Sequence, residues 1–418
     1  MFSQLNIRIG FFLAKRQIRR SSLWTTVLII FVMFFTFLNL VVVTGILVGL
    51  IQGAIDAVRT HYTSDVIVST LSDKTYIENS PEIIRIVKSL PEVEAVTARY
   101  LEGGTLEANY KTRSNEKEKP NIAPASIVGI NPAEEDAVTG ISRFVVEGEY
   151  LSTTDYDQVL VGAYLDKKYL QFDSPGFSSL ENIAPGVKIR LKVGGVEREV
   201  TVKGIIKAKV DEVSLRAFMV DSQLRSMIGR GDYNVDEISV KLKSGTDPAL
   251  VRDILIKNGA GRVAKVQTYA DAQPKFIKDI ADTFALLGNV LSSIGLVVAS
   301  ITIFIVIFIN AITRRKFIGI LKGIGISEQA IEISYIMQSF FYAFVGSLIG
   351  VIVLYAFLEP AVSAHPIDFP FSDGILVAPI SGTLLRVGLL MLTTIIAGFI
   401  PARLIVRKNT LDSILGRN

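Results

Sequence analysis

No cysteine occurs anywhere in the 418 residues. That excludes a disulfide framework and any chemistry that needs a thiol. Histidine is nearly missing too. His61 and His365 are the only two, too far apart in the chain to form a ligand pair by local spacing, and each reads as a surface or interfacial residue. There is no G-x-x-x-x-G-K-S/T loop: Gly319, Gly323 and Gly325 lack the Lys-Ser/Thr ending and follow a basic turn rather than a strand. There is also no H-E-x-x-H and no G-x-S-x-G. ATP hydrolysis, zinc-dependent hydrolysis and serine-nucleophile chemistry are therefore not expected of this chain alone. Glu134-Glu135-Asp136 reads as a solvated acidic run.

Charge is missing from three long stretches. Leu23 to Leu50, Phe284 to Ile312 and Ile333 to Leu358 contain no Asp, Glu, Lys or Arg, and a fourth apolar run from Ile380 to Ala402 carries only Arg386. A helix needs about 20 apolar residues to cross a bilayer, so each run reads as a membrane span. The first is longer than a signal-peptide core and lacks a small-x-small cleavage pattern after it, so it is expected to be retained. The expected fold is an α-helical membrane protein with one plus three spans and a large α+β domain between the first and second. The expected segments are 1–22 as a cytoplasmic amphipathic helix, 23–52 as span one, 53–283 as the extracytoplasmic domain and 284–312 as span two. Then come 313–332 as a cytoplasmic coupling segment, 333–358 as span three, 359–379 as an outer loop, 380–402 as span four and 403–418 as a cytoplasmic tail.

Basic residues set the expected orientation. Arg8, Lys15, Arg16, Arg19 and Arg20 precede the first span, Arg314, Arg315, Lys316 and Lys322 lie between the second and third, and Arg403, Arg407, Lys408 and Arg417 follow the fourth. The link between the third and fourth has Glu359, Asp368 and Asp373 and no Lys or Arg. Cytoplasmic loops favour Lys and Arg, so both termini are expected in the cytoplasm of a cell whose cytoplasmic (inner) membrane holds the protein. The same bias explains the pI near 9.0 without nucleic acid.

Inside the large domain a strand–helix–strand pattern occurs twice. Asp65 to Ser69, a helix opened by Ser80-Pro81-Glu82, and Val93 to Ala98 form the first. Glu237 to Leu242, a helix opened by Thr246-Asp247-Pro248 and closed by Asn258-Gly259, and Arg262 to Val266 form the second. Two such units are expected to share one sheet, as in a split ferredoxin-like lobe. A β-rich insertion from about Ile127 to Ser222 holds a hairpin, Val187 to Ile206, turning at Gly194-Gly195. Lys111 to Pro120 is expected to be a solvated loop.

Gly45, Gly49 and Gly53 recur at every fourth position, as do Gly346 and Gly350, a spacing that permits close helix packing. Arg386 lies roughly 9 Å into the last span at 1.5 Å per residue; it either snorkels or pairs with a substrate head group, Asp282 or Glu359. Ser327-Glu328 reads as a helix start.

Between the second and third spans, Arg314-Arg315-Lys316-Phe317-Ile318-Gly319-Ile320-Leu321-Lys322-Gly323-Ile324-Gly325-Ile326-Ser327 resembles the R-R-x-E-I-G-I-L-R/K-A-x-G-A-S signature of FtsX-like/MacB-type ABC permeases. Phe317 replaces a frequent Glu and Gly323 a frequent Ala. Ala397-Gly398-Phe399-Ile400-Pro401-Ala402-Arg403 with Leu411 to Leu415 is similar to the carboxyl-terminal pattern of that family, and Phe11 to Arg20 to its leading helix. Val128 to Glu135, Gly148, Val159 to Gly162 and Pro185 to Ile189 look like the lipoprotein-releasing (LolC/LolE) branch.

The resemblance implies a permease subunit that transmits ATP-driven closure of a separate cytoplasmic ABC ATPase to its outer domain. It would export or extract a lipid, lipoprotein or drug. Arg314 to Lys322, Gly325 and Ser327 would be the coupling element, and ATP and magnesium would sit on the ATPase, with no cofactor in this chain. A second permease, identical or not, and an extracytoplasmic accessory or substrate protein are further expected partners. An alternative within the same family is a signal transducer that activates an extracytoplasmic enzyme such as a cell-wall hydrolase.

Overall fold

A computed structural model describes residues 4–111, 120–170, 178–273, 275–365, 367–369, 372–374 and 376–407. The core of the solvated loop expected at Lys111 to Pro120 and most of the tail thus lie outside the described residues. The chain divides into two compact units. One comprises Met1–Ile51, Phe276–Phe369 and Asp373–Asn418; the other comprises Gln52–Lys275 and Pro370–Ser372.

The first unit is helical. Helix α1 (Gln4–Arg19) precedes α2 (Leu23–Thr63), a single helical run of 41 residues with π-helical turns at Asn39–Val43 and Arg59–Thr63. Among the described residues four helices are long and apolar enough to cross a membrane, and all outrun the apolar segments that announced them. At 1.5 Å per residue α2 is about 60 Å long, roughly twice a bilayer's hydrocarbon core. The apolar run ended near residue 50 because hydropathy falls there, but nothing in the following Gln52 to Thr63 breaks a helix.

Within this unit α9 (Glu328–Ala364) is central. Small residues let neighbours approach it. A Cβ on Gly346 would fall 2.5 Å from Met33 Cβ, and one on Gly350 2.2 Å from Phe37 Cδ1, so both glycines seat α2. Gly10 of α1 would meet Ile333 Cγ2 at 2.6 Å. Gly398 of α10 (Ile380–Val406) would meet Ser339 Oγ at 1.9 Å. Gly45 differs: its near neighbours are Leu376 and Val377, which precede α10, and its carbonyl accepts from Val377 N at 3.2 Å. Gly49 and Gly53 are buried. Helix α7 (Lys275–Thr313) turns Ala299, Ile303, Ile307 and Ala311, one every turn, into the core.

The second unit holds a ten-stranded sheet ordered β10-β1-β9-β2-β3-β8-β5-β7-β4, with β6 pairing both β2 and β7 and β4 (Val145–Gly148) at its edge. Its first part is the expected lobe. β1 (Val66–Thr70), α3 (Ser80–Ser89) and β2 (Val93–Glu107) form one strand–helix–strand unit; β9 (Glu237–Leu242), α6 (Pro248–Lys257) and β10 (Ala264–Thr268) form the other. The order β10-β1-β9-β2, all antiparallel, is that of a ferredoxin-like sheet. Val68, Ile83, Val87, Ile238, Val240, Val251 and Leu255 fill its core.

Three boundaries differ from expectation. Asn79, in the left-handed conformation, caps α3; Ser80 instead turns inward, donating to Ile77 O and accepting from Val235 N at 3.1 Å. The return strand starts at Ala264, after a 3₁₀ turn at Ala260–Arg262. Most important, β2 does not stop at Ala98 but runs on to Glu107.

That extension closes the insertion. Strands β3 (Ile122–Ile130), β8 (Arg216–Val220), β5 (Gln158–Gly162), β7 (Val196–Ile206) and β6 (Lys188–Val193) pair in sequence, and β6 returns to Gly104–Glu107 of β2. The result is a six-stranded barrel that shares β2 with the lobe and removes free edges. Its interior holds Leu106, Ile127, Val161, Leu191, Val202 and Met219. The β6–β7 hairpin turns as expected at Gly194 and Gly195, whose φ angles of 56° and 80° suit a primed two-residue turn.

Candidate functional site

The segment between α7 and α9 is a helix rather than a loose turn. After a break at Arg314, α8 runs from Arg315 to Gly323. Its carboxyl end closes with paired bonds from Ile326 N to Leu321 O and from Gly325 N to Lys322 O, both 3.0 Å, around Gly325 at φ 91°. This is a Schellman closure, and it explains why glycine stands at position 325. Ser327 then caps α9 by accepting from Ala330 N at 3.3 Å, as the sequence indicated, and donates to Asn6 Oδ1 at 2.9 Å. Lys322 Nζ binds Glu328 at 2.7 Å and the Val406 carbonyl at 2.9 Å. The segment is thereby tied to the starts of α1 and α9 and the end of α10.

Helix α8 has two apolar faces. Ile318, Gly319 and Leu321 are buried against the bundle. Phe317, Ile320 and Ile324 point away and are 48%, 51% and 70% exposed. Their i, i+3, i+7 spacing makes one stripe, beside the exposed Lys316 and the half-buried Arg314 and Arg315. Isolated exposed apolar residues need no explanation, but an ordered stripe of three on a capped helix does.

A second constellation lies in the other unit, around the end of α2, and the sequence reading missed it. Tyr62 donates to Glu237 Oε1 at 2.5 Å. Glu237 also binds Arg216 at 3.1 Å and Arg99 at 3.3 Å. Arg99 forks onto Glu135 at 2.7 Å and donates to the Tyr62 carbonyl at 2.9 Å. Thr97 and Thr139 donate further bonds to Oε2 and Oε1 of Glu135. Burial alone would raise the Glu237 carboxyl, but Arg216 and Arg99 overrule it and hold it at about 2. Arg59 reinforces the joint, binding Asp65 at 2.6 Å and lying over the Tyr269 ring. Asp65 in turn accepts from Leu242 N at 2.8 Å. The last turn of α2 is thus clamped to β2, β8 and β9 by charged groups, with β1 following three residues after Tyr62's neighbour Thr63.

Glu135 therefore corrects the expected solvated run. It is 1% exposed, while Glu134 pairs with Lys88 at 2.8 Å and Asp136 accepts from Ser142 N at 2.9 Å. The signal was present: Pro132, Glu135, Val138 and Thr139 share the buried face of helix α4 (Pro132–Thr139). Arg386 makes no ion pair with Asp282, Glu359 or another carboxylate among the described residues. His61 is half-buried against Phe144, with ring centroids 4.1 Å apart, and His365 is exposed. No cluster of three or more potential metal ligands occurs among the described residues.

Two family models match. The MacB-like periplasmic core domain covers residues 26–257 and the FtsX-like permease C-terminal covers 289–410. Among curated proteins the chain is similar to the macrolide export ATP-binding/permease protein MacB of Campylobacter jejuni strain 81-176. Identity is 24% over 297 residues, covering 66% of this chain and 43% of that one. It is also 25% identical over 240 residues to the uncharacterized ABC transporter permease MJ1507 of Methanocaldococcus jannaschii, covering 54% and 58%. The chain thus spans less than two thirds of either relative. Among solved structures, the periplasmic region of MacB from Actinobacillus actinomycetemcomitans aligns at 15% identity and a TM-score of 0.35, over 51% of this chain and 92% of that one. With one model spanning more than half of its length and the second covering its later helices, this chain belongs to the MacB/FtsX-like family of ABC transporter permeases.

Proposed function

We propose that this chain is the membrane subunit of an ABC transporter that exports or extracts an amphiphile by transmitting the closure of a separate ATPase. The observation that carries the reading is the exposed Phe317–Ile320–Ile324 stripe on α8, a helix fixed to three other helix ends. Its apolar surface would receive the ATPase, with Arg314, Arg315 and Lys316 beside it. Phe317 gives an apolar contact where the family signature carries an acid. ATP and magnesium would be held by the ATPase. The basic flanks favour α8 and both termini in the cytoplasm, at the cytoplasmic membrane, with the lobe and barrel outside.

Support for transmission comes from α2, which is one continuous helix whose far end is locked by Tyr62, Arg99, Arg216 and Glu237. A second permease, identical or different, would complete the assembly. Cargo of lipid, lipoprotein or drug type is in keeping with spans nearly free of charge; the Campylobacter relatives are named for macrolide export.

The test is co-purification. An ABC ATPase should come down with the detergent-solubilised wild type and be lost with Ile320→Asp, whose side chain faces outward and whose change should leave thermal stability intact. Leu321→Asp is unsuitable, since Leu321 is only 7% exposed and a buried charge would unfold the bundle. An ATPase retained by Ile320→Asp removes the docking assignment. No ATPase with wild type, even when nucleotide hydrolysis is blocked, sinks the subunit reading.

A further inference from the structure

Helix α1 runs parallel to the first half of α9. Asn6 donates to Gln329 at 3.0 Å, Gly10 lies against Ile333, and Gln17 pairs with Gln338. After the break at Arg20–Ser22, α2 continues in the same direction along the same helix, with Met33 at Gly346 and Phe37 at Gly350. Between these contacts stand Leu23 and Trp24, which are among the most exposed apolar residues. An exposed tryptophan where a basic segment gives way to an uncharged one marks a membrane–water boundary. Lys15 to Arg20 therefore lie at head-group level, and α9 enters hydrocarbon from about Phe340 onward.

At this level a groove of about 710 Å³ opens between α1, α9 and α10. Phe11, Ile18, Phe340, Phe344 and Ile395 line it. Phe340 and Phe344 stack with ring centroids 6.0 Å apart, and both remain partly exposed. The only charged groups on its wall are Lys15 and Arg19, one turn apart on α1. Both are exposed, and neither makes an ion pair among the described residues. The groove is thus apolar towards the hydrocarbon and dicationic at the head-group end.

We infer that this groove is a specific site for an anionic phospholipid, its phosphate held by Lys15 and Arg19 and an acyl chain laid along Phe340, Phe344 and Ile395. The volume lies within the range of small-ligand sites. A zwitterionic lipid would bring its own cation to the same two charges, so the site discriminates by net head-group charge. Each basic group near an anionic lipid contributes about 1 kcal/mol, which makes an anionic preference of about ten- to thirtyfold the expected size. The inference stands whether or not α8 receives an ATPase.

Tryptophan quenching tests it. Trp24 is the sole tryptophan, so Phe340→Trp in a Trp24→Phe background places one reporter in the groove of the full-length chain. Phosphatidylglycerol with brominated acyl chains, titrated into detergent micelles, should quench saturably. Brominated phosphatidylcholine should need about ten times the mole fraction. Lys15→Gln with Arg19→Gln should abolish that preference, while Arg8→Gln, which removes a charge from the same helix away from the groove, should keep it. Trp24 alone in the wild type should not report the preference. Equal quenching by the two lipids, a preference that survives the double change, or a loss as large with Arg8→Gln each overturns the site. If Phe340→Trp lowers thermal stability, Ile395→Trp reports from the opposite wall under the same criteria.

Discussion

Arg99 and Glu135 have almost no access to water, and each faces the other's opposite charge at 2.7 Å. Cutting one side of such a pair leaves an uncompensated buried charge and costs roughly 3–5 kcal/mol. Glu135→Ala is therefore expected to lower the unfolding midpoint of the large unit well beyond Glu134→Ala, whose surface pair with Lys88 is worth about 1 kcal/mol or less. Equal effects of the two changes would show that water reaches Arg99. Asp236 gives the opposite case. Burial raises its carboxyl to about 6 despite a bond from Leu101 N at 2.8 Å. A raised carboxyl binds its proton more tightly when folded, so its contribution is present below about pH 4 and is lost as pH rises through 6. Asp236→Asn, which keeps an oxygen for Leu101, should stabilise the protein by on the order of 2–3 kcal/mol at pH 8 and by nothing at pH 4. A constant difference between the two pH values would contradict the shift. No local signal foretold Asp236, because its burial comes from β2 and β9 packing across 135 residues of chain.

At the scale of elements, α8 shows how far pattern reading reaches. Its composition marked it as a distinct segment, and Ser327 was legible as a cap because capping depends on neighbours in sequence. Which apolar residues face outward was not legible, since Ile318, Ile320, Leu321 and Ile324 are alike in hydropathy and only the bundle distinguishes them. The glycines follow the same division. Gly346 and Gly350 were recognisable as packing positions by spacing, but Gly45 meets an extended segment rather than a helix. Gly346→Ala should cost about 1–3 kcal/mol through overpacking against Met33 and the α2 backbone. Gly388→Ala, with nothing within 4 Å, should be neutral or slightly stabilising because alanine favours helix. Thermal midpoints in detergent check both, and equal midpoints would mean that α2 can move aside freely.

At the scale of the whole molecule, the absence of cysteine becomes a tool. Single cysteines at Tyr233 in the large unit and at Ile324, the C-cap of α8, both highly exposed, can be labelled with a membrane-impermeant maleimide without background. Tyr233→Cys should react in intact cells stripped of any outer envelope, and Ile324→Cys only after the membrane is opened. The reverse pattern would invert the proposed orientation, and labelling of both from one side would contradict the span count between them.

The sequence alone determined the number of spans, the position of the large domain, the ferredoxin-like lobe, the β6–β7 hairpin and the cap of α9. Each of these is written in contiguous residues, as a hydropathy run, a strand or helix period, a Gly-Gly turn or a capping serine, so the information is local. Tertiary structure decided the rest. β2 was free to end at Ala98 until β3 and β6 offered its extension hydrogen-bonding partners, and only that pairing closes the barrel. Glu135 was one acid in an acidic run until Arg99, far away in sequence, took it out of water. The exposed stripe of α8 exists because the bundle buries the opposite side. Pairing, burial and exposure are relations between distant segments, and no residue carries them until the chain has folded.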